Sequence, residues 1–207
     1  MANDQVRNTA TGGSQPDKSS LRKDLRARRK ALAANAQTAA AESLTRVLSD
    51  HPTWHGAMNI ALYMAADGEI DPRPLAQAAR GDGKQVFLPV IRDAGLLHFK
   101  LWQDDDRLVE NCFGIPEPAA TAREIGVNEL DIICLPLVGF DKRGGRLGMG
   151  GGYYDRSLEA LDRETGPLLV GLAHECQRIE QVPLQPWDIR LDAVATESAL
   201  LICRDRH

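Results

Sequence analysis

Between Gly144 and Gly152 six of nine residues are glycine, where an even spread of the chain's 18 glycines would place fewer than one. A segment so poor in side chains cannot pack itself, so the surrounding fold must hold it. Glycine lets a backbone take positive φ and come within hydrogen-bond distance of a ligand. Several N–H groups can then face one concavity and hold an anion. A flexible hinge would show the same density, but its neighbours would not matter. Here Arg146 lies inside the segment, Tyr153 and Tyr154 stand directly behind it, and Asp155 comes one step later. The apolar run Ile132 to Val138 precedes it, and Tyr154, Leu158 and Leu161 follow at the spacing of an amphipathic helix. Strand, glycine loop and helix is the order that builds phosphate sites, with the helix dipole adding to the field.

The common nucleotide motifs do not fit. Gly148-Met149-Gly150-Gly151-Gly152-Tyr153 has Tyr where GxGxxG needs its last glycine, and no GK[ST] occurs in the chain. The rest of the sequence nevertheless alternates strand and helix. Leu21, Leu25 and Leu32 predict a helix from Asp17 onward, and an alanine-rich helix is expected from about Ala36 to Leu48. Met58 to Met64 reads as a buried strand, followed by a helix with Asp71 as cap and Pro72 at its first position, ended by Gly81 and Gly83. Val86 to Val90 and Leu96 to Trp102 predict two strands joined by a turn over residues 92–95. Leu168 to Ala173 and Ala199 to Cys203 supply two more. Gly114-Ile115-Pro116-Glu117-Pro118 is expected to be a stiff, exposed loop. The pattern predicts a three-layer α/β/α sandwich with a mixed, mostly parallel central sheet.

At 207 residues the chain can bury one substantial core, so a single catalytic domain over residues 17–207 is expected. Residues 1–16 are polar, with no basic segment leading into an apolar one; they read as a disordered tail and not an export signal. No apolar run reaches the roughly 18 residues of a membrane span. A cytoplasmic monomer is expected. Four scattered cysteines include no CxxC pair, and His51 and His55 have no third ligand near them, so neither a zinc site nor a disulfide framework is indicated. The formal net charge of -4 argues against a surface built for nucleic acid, so any anion site must be local.

Lys18 and Arg22 stand one helical turn apart, close to a helix start where positive charge opposes the dipole. A bound polyphosphate would offset that misplacement. Arg26, Arg28, Arg29 and Lys30 read instead as a solvated basic face.

Val138-Gly139-Phe140-Asp141, followed by Gly145 through Asp155, resembles the signature of the 5-formyltetrahydrofolate cyclo-ligases, also called methenyltetrahydrofolate synthetases. Supporting pieces occur in the same order: Lys18 with Leu21-Arg22, Tyr63 before Gly68-Glu69-Ile70, the Gly114 to Pro118 turn, and Val182-Pro183 leading to Asp188. The resemblance covers about residues 18 to 203. Met149 stands where many relatives would carry an aromatic or basic residue.

The resemblance implies an enzyme that converts 5-formyltetrahydrofolate and ATP, with Mg²⁺, into 5,10-methenyltetrahydrofolate, ADP and phosphate. It implies that Lys18, Arg146 and Tyr153 are catalytic. The same three, with Arg22, Leu147, Gly148, Met149, Gly150, Gly151, Gly152 and Tyr154, would grip ATP. Met64, Glu69, Phe113 and Tyr153 would touch the folate, and Asp155 and Asp188 would hold the magnesium, although Asp192, four residues on, competes with Asp188 for that role. Small-molecule substrates, without nucleic acid or membrane, are the implied partners. The alternatives are a non-catalytic nucleotide- or folate-binding relative, and an RNA-binding protein using the basic helix, against which the acidic total and lack of aromatic stacking motifs argue.

Overall fold

A computed structural model of the chain describes residues 17–92 and 95–204; the expected tail, and the middle of the turn over 92–95, lie outside the described residues. Five α-helices are present in the described residues: α1 (Lys18–Lys30), α2 (Ala34–Ser49), α3 (Pro52–Gly56), α4 (Arg73–Gly81) and α5 (Tyr153–Ser157). The strands are β1 (Asn59–Ala61), β2 (Gln85–Ile91), β3 (Leu97–Leu101), β4 (Val109–Glu110), β5 (Pro116–Glu117), β6 (Glu124–Ile125), β7 (Ile132–Pro136), β8 (Gly139–Phe140), β9 (Arg146–Leu147), β10 (Leu168–Leu172), β11 (Ala193–Ala195) and β12 (Leu200–Ile202).

Eight strands form one sheet in the order β12-β11-β10-β7-β1-β2-β3-β6. The five central strands run parallel, and β3, β6 and β12 pair antiparallel at the margins. The expected mixed, mostly parallel α/β sheet is therefore the observed one. Its central strands read as near-continuous apolar runs because both faces are covered. Ile60, Val86, Ile132, Cys134 and Val170 pack on one face against α2 and α4. Ala61, Phe87, Ile133, Leu135 and Leu169 pack on the other against Leu158, Leu161 and Phe140. That second layer is mostly irregular chain around one short helix.

Several boundaries differ from those expected. The helix behind the glycine segment spans only Tyr153–Ser157; Leu158 and Leu161 are still buried, but from turns. So short a helix contributes little macrodipole, and an anion held here would be held by individual amides. The helix after β1 starts at Arg73, one residue late, with Pro72 as N-cap, while Asp71 Oδ1 accepts from the Arg73 amide at 2.9 Å. The run Met58 to Met64 contributes only three ladder residues, because the chain leaves the sheet after Ala61 to build the site loop. Pro116-Glu117 is not an exposed loop: it is a half-buried strand paired with β4, and Asn111 folds the preceding turn by accepting from the Phe113 and Ile115 amides.

From β1 the chain crosses one face through α4 to β2; from β7 it crosses the opposite face through α5 to β10. The adjacent strands β1 and β7 therefore send their connections apart. In open α/β sheets ligands settle at the carboxyl edge where that divergence opens a crevice.

Candidate active site

Helix α1 lies across this crevice. Asp17 caps it, and Leu25, buried with Val138, Leu147 and Val182, presses it onto the β8–β9 hairpin. Its polar residues Lys18, Arg22, Arg26 and Arg29 recur every three or four positions, so they form one stripe about 16 Å long.

The glycine segment divides into two parts. Its first part is structural. In the turn between β8 and β9, Asp141 is buried; its Oδ1 accepts from the amides of Arg143 and Gly145 at 2.8 and 3.0 Å and its Oδ2 from Val182 at 2.8 Å. Gly144 takes φ +76, and a Cβ there would lie 2.4 Å from the Leu191 carbonyl oxygen. Its second part is open to solvent: Met149, Gly150 and Gly151 are exposed. None of the amides from Gly148 to Gly152 donates to a protein acceptor among the described residues. The carbonyls of Gly148 and Gly151 are tied back instead. Arg22 Nε donates to Gly148 O at 2.8 Å, and Arg156 donates to Gly151 O at 2.9 Å and to Gly95 O at 3.1 Å. Gly150, at φ +101, turns the chain between those anchors. The result is a row of unpartnered donors held in place by two arginines.

Cations and carboxylates flank that row. Arg146 is buried, its Nη2 donates to Asp155 Oδ1 at 2.6 Å, and its Nε has no hydrogen-bond partner. Its guanidinium lies 5.9 Å from the Tyr154 ring, whose phenol burial pushes well above its ordinary pKa. Lys18 Nζ pairs with Asp188 Oδ2 at 2.7 Å, and the Ile189 amide donates to Asp155 Oδ1 at 3.2 Å, which brings the two carboxylates together. Each spends one oxygen on protein donors and keeps the other without a hydrogen-bond partner among the described residues. Two such oxygens, without a third protein ligand among the described residues, do not make a closed protein cage. They suit a cation such as Mg²⁺ that keeps waters and bridges phosphates. Asp192 is elsewhere: buried, it pairs with Arg163 at 2.8 Å and accepts from the Leu169 amide at the start of β10, so its work is structural.

Of the four residues expected to touch the folate, Met64 and Glu69 line a cavity of about 370 Å³ at the exit of β1, together with Asp67, Asp71, Arg73 and Pro116. Phe113 is exposed, not a core aromatic, and meets Tyr153 edge-on with ring centroids 6.0 Å apart. The four therefore form two groups, one in the cavity and one beside the open loop. Burial raises the Glu69 pKa, opposed by the Ala66 amide and by Arg29.

The basic face expected beyond Arg22 is solvated only in part. Arg28 and Lys30 are exposed and Arg26 is half-buried, but Arg29 is 0% exposed, and Arg26, Arg29 and Lys30 converge on Asp67. The arginine hydrogen bonds hold the Asp67 carboxyl far below its ordinary pKa. Asp67 sits at φ 55, ahead of Gly68, a turn geometry that aspartate tolerates. Arg156, which anchors Gly151, is a second residue that sequence reading passed over. The signal for Arg29 was its register, seven and eleven residues beyond Arg22 and Lys18 on the same helical face.

Comparison with known proteins identifies a family. Residues 14–197 match the model of the 5-formyltetrahydrofolate cyclo-ligase family. The chain is 39% identical over 178 residues to the 5-formyltetrahydrofolate cyclo-ligase of Escherichia coli strain K12, covering 84% of this chain and 97% of that one. It is 40% identical over 174 residues to the enzyme of the same name from Haemophilus influenzae, covering 83% and 92%. Its fold is similar to the NMR structure of Aquifex aeolicus 5,10-methenyltetrahydrofolate synthetase, with a TM-score of 0.79, 31% identity, and 92% and 94% of the two chains covered.

Proposed function

The chain belongs to the 5-formyltetrahydrofolate cyclo-ligase family, and on that footing we propose that it closes 5-formyltetrahydrofolate to 5,10-methenyltetrahydrofolate at the expense of ATP. The observation that carries the ATP half of this reading is the row of unpartnered amides from Gly148 to Gly152, bracketed by Lys18, Arg22 and Arg146.

A formamide is a weak electrophile, so its oxygen must first become a leaving group. The formyl oxygen takes the γ-phosphoryl group and ADP departs. The substrate's own N10 then attacks the formyl carbon, the carbon–oxygen bond breaks, inorganic phosphate leaves with that oxygen, and the N10 proton goes to solvent. Ring closure is intramolecular, so positioning alone supplies a large effective concentration, and phosphoryl transfer asks mainly for alignment and charge neutralisation. No protein nucleophile is required.

Each residue then has a task. The loop amides and the free guanidinium nitrogens of Arg22 hold the nucleotide phosphates. Arg146, kept nearly dry, concentrates its charge where the transferring group becomes more anionic. Lys18 leaves Asp188 to share that charge. Asp155 and Asp188 would hold Mg²⁺, which supplies further neutralisation of the phosphates. Glu69 accepts from the pterin's amino and ring N–H donors, and Phe113 with Tyr153 covers an aromatic ring of the folate. The enzyme works as a cytoplasmic monomer on small molecules; no helix among the described residues is long and apolar enough to cross a membrane.

The test is a coupled assay with MgATP and 5-formyltetrahydrofolate, following methenyl product by absorbance and ADP by a second enzyme. The expected result is one ADP for each methenyl group, lost in Lys18→Ala, Arg146→Ala and Asp155→Ala while circular dichroism stays native. ADP formed equally well without folate would reduce the protein to a plain ATPase.

A further inference from the structure

Helix α1 sends Arg22 to the glycine loop and Lys18 to Asp188, yet its stripe does not stop there. Arg29 is 0% exposed, and a guanidinium is taken from water only where its donors are matched. Its Nε donates to Asp67 O at 2.9 Å, Nη1 to Leu137 O at 3.0 Å and Nη2 to Asp67 Oδ2 at 3.0 Å. The same Nη2 lies 3.7 Å from Glu69 Oε1. Leu137 is the first residue after β7, and Asp67 and Glu69 stand in the loop after β1, so one side chain spans both strand exits. The Glu69 side chain is 10% exposed, and its other oxygen accepts from the Ala66 amide at 3.1 Å. Asp67 already gives Arg29 one carboxylate partner, and the same buried guanidinium holds a second one, Glu69, at ion-pair distance where it lines the cavity.

We propose that Arg29 is a positioning residue for the folate end of the site: as counter-ion it fixes the Glu69 carboxylate on the cavity wall, ready to accept the pterin N–H donors. The proposal rests on the folate reading of that cavity. It makes α1 a single ruler on which the phosphate-binding cations and the pterin-binding carboxylate share one rigid spacing.

The electrostatics agree with the geometry. Burial is the main influence raising the Glu69 pKa; the Ala66 amide, Arg29 and Arg26 lower it, and Asp67 raises it. The charged and titratable groups around Glu69 are Arg26, Arg29 and Lys30 from α1, Asp67 from its own loop, Tyr63 from the β1 exit, Tyr154 from α5, and Asp71 and Arg73 across the cavity. Deleting the Arg29 charge removes a counter-ion and leaves Asp67 opposing ionisation. Deleting the Asp67 charge does the reverse.

The experiment compares wild type, Arg29→Met, Arg29→Lys and Asp67→Asn, each checked for native circular dichroism. The KM for 5-formyltetrahydrofolate is measured from pH 5 to 9 at saturating MgATP, beside a carbon-13 NMR titration of the Glu69 carboxyl. In Arg29→Met the acid limb should move to higher pH by about one unit, which is about tenfold in KM on the limb, while the KM for ATP stays within about twofold. Arg29→Lys should restore the limb, and Asp67→Asn should move it to lower pH. A Glu69 titration that does not move in Arg29→Met, or a loss of equal size at every pH and for both substrates, would overturn the proposal. Should Arg29→Met fail to fold, the opposite-signed shift in Asp67→Asn decides, and its absence is equally fatal. A wild type that makes no methenyl product would sink the folate reading alone, because the NMR titration still measures whether Arg29 governs Glu69.

Discussion

Two glycines six residues apart should respond to alanine in opposite ways. At Gly144 the backbone has φ +76, which costs an L-residue about 1–2 kcal/mol. The new Cβ would also stand 2.4 Å from the Leu191 carbonyl oxygen and 3.1 Å from Cys203 Cβ. Neither is the free end of a flexible side chain, so relief requires backbone movement, at about 1–3 kcal/mol for overpacking. That movement also threatens the hydrogen bond from the Leu191 amide to Gly144 O, 2.9 Å long. The sum is about 2–5 kcal/mol, or a fall in Tm of roughly 4–20 °C for a chain of this size. At Gly150, φ is +101 but the nearest atom to a new Cβ is Arg22 Cζ at 3.5 Å, an ordinary contact. Only strain remains there, about 1–3 kcal/mol, and local rotation of the exposed loop can relieve much of it. Rotation would turn the unpartnered amides away from one another. Gly150→Ala should therefore lose most of its nucleotide affinity with little loss of stability, while Gly144→Ala loses stability first and keeps near-normal KM for ATP while folded. Denaturant titration with steady-state kinetics on both variants measures each effect. A Gly144→Ala protein within about 0.5 kcal/mol of wild type, or a Gly150→Ala protein with normal KM for ATP, would refute the division of the glycine segment.

Lys18→Ala should abolish turnover and cost under about 1 kcal/mol in stability, because its partner Asp188 and the lysine itself are both partly exposed; urea titration beside the activity assay checks both. The Glu69 pKa is raised in the fold, so its protonated form is favoured there: that stability is full below the unfolded pKa and lost as pH rises through the folded one. Glu69→Gln should accordingly match or slightly exceed wild-type stability at pH 7 to 8, lose that advantage near pH 4, and fail to use folate, as thermal scans against pH with activity would reveal. Asp67 behaves oppositely, its depressed pKa giving stability that is present at neutral pH and lost as pH falls, so Asp67→Asn should flatten the acid limb of the stability profile. Of the three tryptophans, Trp54 and Trp102 are buried and Trp187, beside Asp188, is 69% exposed. Adding MgATP should change the emission of that one residue, and Trp187→Phe should remove the response.

The parts of the fold that the sequence announced are those where one side chain's environment follows from its near neighbours. Ile132 to Pro136 could be read as a buried strand because every residue in it is apolar, and the glycine segment stood out because Arg146, Tyr153, Tyr154 and Asp155 beside it have no place in a plain hinge. Two-residue ladders such as β4 with β5 or β8 with β9 carry too little sequence to show a period of two. Leu158 and Leu161 kept helical spacing but are buried from turns, since burial asks only that the side chain point inward. Arg29 looked like its basic neighbours because its burial depends on Asp67, thirty-eight residues away. Asp188 and Asp192 looked alike for the same reason: only the chain's path pairs one with Lys18 and the other with Arg163 and the Leu169 amide.

The most direct test of the central claim follows one oxygen atom. With 5-formyltetrahydrofolate carrying oxygen-18 in its formyl group, transfer of the γ-phosphoryl group to that oxygen must deliver the label to inorganic phosphate as the methenyl product forms. Mass spectrometry of the phosphate should find one labelled oxygen per turnover. Unlabelled phosphate, with the heavy oxygen recovered in water, would mean that the amide oxygen never met the triphosphate held by the glycine loop.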